Sequence, residues 1–295
     1  MLFMGEIAGL LTALCWTVTA VSFEFAGKRI GSGAVNIWRL VIAFLILSLY
    51  NTLTTGSWMH LGLPINQVVL LIVSGLIGFV IGDLFLFEAF VIVGARIAML
   101  IMALSPPLSA IIGWLVLGEE MSIMAIVGMM LTFAGIAIVI LSKNQGSGVK
   151  LAHPIKGISF AFLGALGQSV GLLFSKVGMV GITAFEASQY RVLAGVVGFV
   201  VILGLQKRFG EVKRALSDKK GMAATSLGAF FGPFLGVSLS LMAVSLTSLG
   251  VASTLMSIVP VLLIPVSILF FKEHVKFKEI LGAIITVAGV ALMFI

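Results

Sequence analysis

Glu24, Arg39, Asp83 and Glu88 in the first half of the chain, and Lys176, Glu186 and Arg191 in the second, lie within or at the ends of otherwise apolar runs. An ionisable group held in an apolar medium is costly, so it marks either a solute or proton pathway or a paired structural charge. Glu24 closes the first apolar run and Arg39 opens the second, which fits a salt bridge within that hairpin. At a shift of 152 positions, Lys176 echoes Glu24 and Arg191 echoes Arg39, while Glu186 supplies a nearby carboxylate. Opposite charges at echoed positions make the two halves chemically unequal. Asp83 and Glu88 have no acidic echo, since Val237 and Met242 stand 154 positions on. Five residues apart on a helix they point about 140° from each other, so one can face a cavity while the other pairs elsewhere. Asp83, which follows Gly82, is the one expected in the cavity. Trp16 is mid-run and the repeat sets Gln168 opposite it, an aromatic platform facing an amide that suits a small polar organic solute. The plain alternative for Trp16 is core packing. Trp38 and Tyr190 open their runs and read as interfacial anchors.

The elements that must position these groups follow from composition. With 60% hydrophobic and 10% charged residues and a mean hydropathy of +1.25, the chain reads as an integral membrane protein. Ten apolar runs are long enough to span a bilayer: Phe3 to Phe25, Val35 to Leu53, Gln67 to Phe90, Ala95 to Leu117, Ile123 to Leu141, Gly157 to Ser175, Ala184 to Leu205, Met222 to Ser245, Val251 to Phe271 and Phe277 to Ile295. Helices are expected because backbone amides in lipid must be satisfied within their own segment.

The second half repeats the first. A shift of 154 lays Pro106 on Pro260, Glu119 on Glu273, Gly128 on Gly282, Thr132 on Thr286 and Gly135 on Gly289, and it lays Gly78 and Gly82 on Gly232 and Gly236. Five spans per copy is an odd number, so the second copy inserts upside down. The expected fold is therefore all-α, with ten transmembrane helices in two inverted five-helix repeats, residues 1–147 and 148–295. A linker at Ser142 to Lys156 joins them. Gly75, Gly78 and Gly82, and Gly228, Gly232 and Gly236, give two helices smooth faces for close packing or for sliding, and Gly167 with Gly171 fits either use. Pro106, Pro107, Pro233, Pro260 and Pro265 permit bends inside spans.

Several functions are excluded or disfavoured. The lone Cys15 and the scattered His60, His153 and His274 make no metal set. No Walker loop, HExxH, GxSxG or strand-borne GxGxxG is present, so neither an enzyme nor a bound cofactor is expected. The net charge of +7 comes from short loops and forms no long basic face for nucleic acid. The start MLFMGE lacks a basic leader and reads as a retained first helix. Lys and Arg gather in the loops after odd-numbered spans, including Lys28, Arg29, Arg96, Lys207, Arg208, Lys213 and Arg214. The charge rule then places those loops in the cytoplasm and both termini outside.

Ten helices in two repeats resemble the EamA-type members of the drug/metabolite transporter superfamily. The residues that carry the likeness are Trp16, Arg39, the stretch GFVIGDLFLFEAFVIVGARIA and the stretch SPPLSAIIGWLVLGEEMSIMAIVGMMLTFAG from Ser105 to Gly135. Glu24 stands where many relatives carry a basic residue, and Glu88 where they carry an aromatic one. The resemblance implies a multi-pass carrier in the plasma membrane, the inner membrane of a bacterium. Such carriers often export small metabolites such as amino acids through a cavity between the repeats. It also implies cytoplasmic termini, against the charge bias. Three readings follow. The first is a secondary active or facilitative transporter working by alternating access, with Trp16, Glu24, Arg39, Asp83, Glu88, Gln168, Lys176 and Arg191 as candidate substrate or coupling residues. The second is a proton-coupled multidrug or cation exporter, and the third a membrane scaffold or sensor that transports nothing. The partners expected are the lipid bilayer, a small solute and, on the second reading, protons.

Overall fold

The computed structural model describes residues 4–117, 121–143, 149–151, 153–246, 255–272 and 274–293. Glu119 and its echo Glu273, the middle of the expected linker and the first residues of the expected ninth span lie outside them.

Helices dominate. α1 (Met4–Ile30) and α2 (Ser32–Thr55) form a hairpin about Gly31, whose φ of 82° is open to glycine at no steric cost. At 27 residues α1 is about 40 Å long, enough to cross a bilayer and its headgroup zone. α3 (Ile65–Gly75), a π-helical segment (Leu76–Gly82) and α4 (Asp83–Met102) run on without a loop. The third and fourth expected spans meet inside α4, at Gly94 (φ 81°, ψ 160°). That backbone region is essentially restricted to glycine, so a single residue turns the chain where the sequence led us to expect a longer break. The fourth span is itself interrupted at Ala103 and Leu104 before α5 (Ser105–Leu117), where Pro106 and Pro107 cannot continue a helical ladder.

α6 (Ile123–Ile140) is capped by Ser122, whose hydroxyl accepts from the Ala125 amide at 3.0 Å. Part of the expected linker forms a two-stranded antiparallel ribbon, β1 (Leu141–Lys143) against β2 (Val149–Leu151). The second half follows as α7 (Ile155–Gly178), α8 (Ala184–Leu205), the short α9 (Phe209–Ala215), α10 (Lys219–Ala229), a second π-helical segment (Phe230–Gly236), α11 (Val237–Leu246), α12 (Val259–Phe271) and α13 (Phe277–Leu292). Seven described helical runs are long and apolar enough to cross a membrane, the 38-residue run through Gly94 among them. Within the fourth, ninth and tenth expected spans, α5, α12 and α13 are described as helices of 13, 13 and 16 residues. Outward-facing Leu45, Leu53, Leu205 and Phe270 are at least 60% exposed, an apolar surface suited to lipid rather than water.

Glycine contacts determine which helices meet. A Cβ built on Gly167 would lie 2.6 Å from the Cα of Gly82, and one on Gly171 would lie 3.1 Å from the Cα of Gly78. α7 and the run from α3 to α4 are therefore in backbone contact, a close approach that only small residues permit. On α6 and α13, Gly128 meets Gly289, Thr132 meets Gly289, and Gly135 meets both Thr286 and Gly282. As one number rises the other falls, so these two echoed helices run antiparallel. The two π-helical segments, at 76–82 and 230–236, are also 154 positions apart. No propensity rule signals a π turn, although the echoed pairs Gly78/Gly232 and Gly82/Gly236 fall within both.

Candidate functional site

Between these helices lies a cavity of about 470 Å³. The loops of the bundle define two ends. One is the basic end, near residues 28–31, 94 and 206–218; the other holds residues 56–64, 121–122 and 179–183. At the second end Met121, Ser122 and Met293 belong to the cavity lining, with Lys176 in the last turn of α7. Toward the basic end the lining stops at Phe23, Phe87 and Phe90, whose rings pack tilted against one another at centroid distances of 4.8 Å and 5.5 Å.

The polar side of the cavity is built around Asp83, the first residue after the π-helical segment and only 3% exposed. Its Oδ2 accepts from Arg39 Nη2 at 2.5 Å and its Oδ1 from Gln168 Nε2 at 2.7 Å. Arg39 is held from behind by Asn36, which accepts from its Nε at 3.1 Å, and its guanidinium lies over the rings of Phe87, Phe79 and Phe23. The opposite face of the site brings Arg191, also 3% exposed, to 4.8 Å from the Phe79 ring. Arg39 and Arg191, echoes of each other in sequence, thus converge on one aromatic ring and one carboxylate. Arg191 Nε is buried with no hydrogen-bond partner. An unmet donor on a charged group in a low-dielectric site is expensive, and Asp83 does not meet it: its oxygens accept from Arg39 and Gln168, and no hydrogen bond joins it to Arg191. Trp16 lines the cavity beside Gly236, and the hydroxyl of Ser105 ties the start of α5 to α7 by donating to Ala165 O at 3.0 Å.

The structure brings together Trp16, Arg39, Asp83, Gln168, Lys176 and Arg191, and it places Glu24 and Glu88 elsewhere. The expected Glu24–Arg39 bridge does not form. Glu24 accepts from Lys28 Nζ at 2.5 Å and from the Ala95 amide at 2.6 Å, capping the helix that restarts after Gly94. Its partner is set by the Gly94 turn, which points an orphan N–H at it. Glu88 accepts from the Ser32 hydroxyl at the start of α2. Glu186 does not serve Arg191 either. It completes a capping box with Thr183 and takes His60 Nδ1 at 3.0 Å. Trp38 and Tyr190, expected as interfacial anchors, both find partners within the protein. Trp38 donates to Val212 O on α9, and the buried Tyr190 donates its hydroxyl to His60 O. Sequence reasoning did not single out Asn36, Phe79 or Phe87, because nothing local distinguishes a cavity aromatic from a packed one.

At the basic end, beyond the aromatic floor and besides the Arg208–Glu211 pair within one short segment, three ion pairs among the described residues involve the long helices. They are Glu24–Lys28 within α1, Arg29–Asp218 at 2.9 Å between α1 and the start of α10, and Arg96–Glu279 at 2.9 Å between α4 and α13. The Arg29 hydrogen bond, aided by the Gly221 amide, holds the Asp218 carboxyl below the usual aspartate range. Among the described residues no group of three or more His, Cys, Asp or Glu side chains is placed to hold a metal.

Comparison with known proteins agrees with this architecture. A solved crystal structure superposes on 98% of this chain and 95% of its own with a TM-score of 0.56 at 17% identity, a likeness of fold. A protein of Archaeoglobus fulgidus named as an uncharacterized transporter is 21% identical over 295 residues, covering 98% of this chain and 97% of its own length. The EamA-like transporter family matches twice, over residues 3–141 and 155–295, one match in each repeat. With both halves matched in this way, the chain belongs to the EamA-like transporter family and is a multi-pass membrane protein of transporter type.

Proposed function

We propose that the chain is a secondary carrier, active or facilitative, that exports small organic metabolites such as amino acids across the plasma membrane. In this reading residues 1–147 and 148–295 are inverted halves of five spans each, and the solute site is exposed to one side and then the other as the halves rock. The observation that carries it is the cavity itself: a buried polar cluster at mid-bundle, walled by echoed helices, reaching one end and floored at the other by aromatic rings and ion pairs. The antiparallel run of the echoed α6 and α13 supports the inversion. The close glycine faces of α3, α4 and α7 supply surfaces smooth enough for relative motion. The test is solute flux in proteoliposomes with a broad metabolite panel, with and without a pH gradient. Flux of at least one solute is expected, and none under either condition refutes the carrier.

A second reading, proton-coupled export of cations, draws on Asp83, the one carboxylate among the described residues lining the cavity. It predicts that Asp83→Asn abolishes resistance to cationic drugs. Orientation follows the charge bias, with the basic end cytoplasmic. A cysteine in place of the exposed Lys213, in a chain whose buried Cys15 is replaced, is then labelled by an impermeant reagent only after cells are opened. Labelling of intact cells reverses the assignment.

A further inference from the structure

The carrier reading leaves the chemistry of the solute open, and the charges in the cavity wall narrow it. Arg39, Lys176 and Arg191 line the cavity against the single carboxylate of Asp83, so the described lining carries an excess of two positive charges. Asp83 is partnered within the protein, with Arg39 on Oδ2 and Gln168 on Oδ1. Arg191 is not: its Nε has no acceptor, and no described residue takes a hydrogen bond from its guanidinium, although the side chain is 97% buried in the cavity wall. A guanidinium presents a rigid fork that matches a carboxylate with two parallel hydrogen bonds. A second orphan, the Thr19 hydroxyl, lies in the same wall. Around them the lining is aromatic, with Trp16, Phe23, Phe79, Phe87 and Phe90.

We infer that the solute is an organic monoanion, a carboxylate on an apolar body, and that Arg191 is its carboxylate-binding residue. This rests on the carrier reading and sharpens it. A solute ammonium finds no free acid among the described lining residues, so a carboxylate without a charged amine binds better than the corresponding amino acid. Lys176 is exposed at the open end of the cavity and stays hydrated, so Arg191 is the one buried cation left over from the Arg39–Asp83 pair; one such guanidinium suits one negative charge, which favours a carboxylate over a phosphate ester.

The test is calorimetric binding to the purified full-length chain in nanodiscs, using phenylacetate, phenylacetamide, phenethylamine, phenylalanine and phenyl phosphate. Phenylacetate is expected to bind most tightly, with phenylacetamide and phenethylamine weaker by about tenfold or more, the scale of a hydrogen-bonded charge. Arg191→Gln should weaken phenylacetate binding by about the same factor, and Arg191→Lys should restore part of it. Equal binding of the amide, tighter binding of the amine, the amino acid or phenyl phosphate, or no binding of any of the five overturns the inference. Should Arg191→Gln fail to fold, the ranking of the five ligands on the wild-type chain decides alone. The two readings fail separately. Proteoliposomes that move no solute while phenylacetate still binds refute transport, whereas flux that ignores the carboxylate refutes only the solute class.

Discussion

Replacing Asp83 by asparagine keeps the shape of the cavity wall and removes one charge. The carboxylate and the Arg39 guanidinium are at most 5% exposed and meet at 2.5 Å, so neither can recover hydration when the other is lost. The asparagine Oδ1 can still accept from Gln168, so that hydrogen bond survives and the loss is one of charge. Breaking one side of a buried pair costs about 3–5 kcal/mol. The cost here falls on two guanidiniums, because Arg191 faces the same carboxylate. At about 2.1 cal/mol/K per residue the unfolding entropy of a chain this long is roughly 0.6 kcal/mol/K, so the loss appears as a fall in Tm of about 5–8 °C. The assay is thermal unfolding of purified protein in one detergent. It is extended to Arg39→Gln, which strands the carboxylate and should cost a similar amount, and to the double variant. Removing both charges leaves no buried charge of the pair unmatched, so the double variant should melt well above the sum of the two single losses. A Tm for Asp83→Asn within about 2 °C of wild type, or strict additivity of the two substitutions, refutes the reasoning that this pair is desolvated and coupled.

Gly167→Ala drives a methyl into the Gly82 backbone and is expected to cost about 1–3 kcal/mol, whereas Gly210→Ala, with nothing within 4 Å, should leave Tm unchanged; equal melting of the two variants argues against backbone contact between α7 and α4. Gly94→Ala forces a side chain onto φ 81° and ψ 160° and should lower stability by about 1–3 kcal/mol in the same melting assay. The Arg29–Asp218 pair carries a pH signature. The folded carboxyl titrates below its unfolded value, so its contribution is present above the unfolded pKa and disappears as pH falls through the folded one. Arg29→Gln should therefore melt below wild type at neutral pH and converge with it in acid, and added salt should shrink the gap at neutral pH.

The sequence alone determined the solvent, the helices and the repeat. Each is a local or periodic property: apolar runs near 20 residues, small residues at three- and four-residue spacing, and matches at 152 and 154 positions. It also picked out charged groups costly enough to need a reason. What it could not supply was who pairs with whom. Chain order pairs Glu24 with Arg39, its neighbour across a hairpin, yet Gly94 turns the Ala95 amide toward Glu24 while Arg39 reaches Asp83 from another helix. Glu186, a few residues before Arg191 in the chain, is drawn away by Thr183 and His60. The physical reason is angular. One residue of extra winding in a π turn rotates all that follows by about 100°, and Asp83 comes directly after such a segment. Which helix stands opposite is then set by glycine contacts from the other half of the chain. Only the assembled bundle decides that Asp83 is shared and that Arg191 is left with a donor to give.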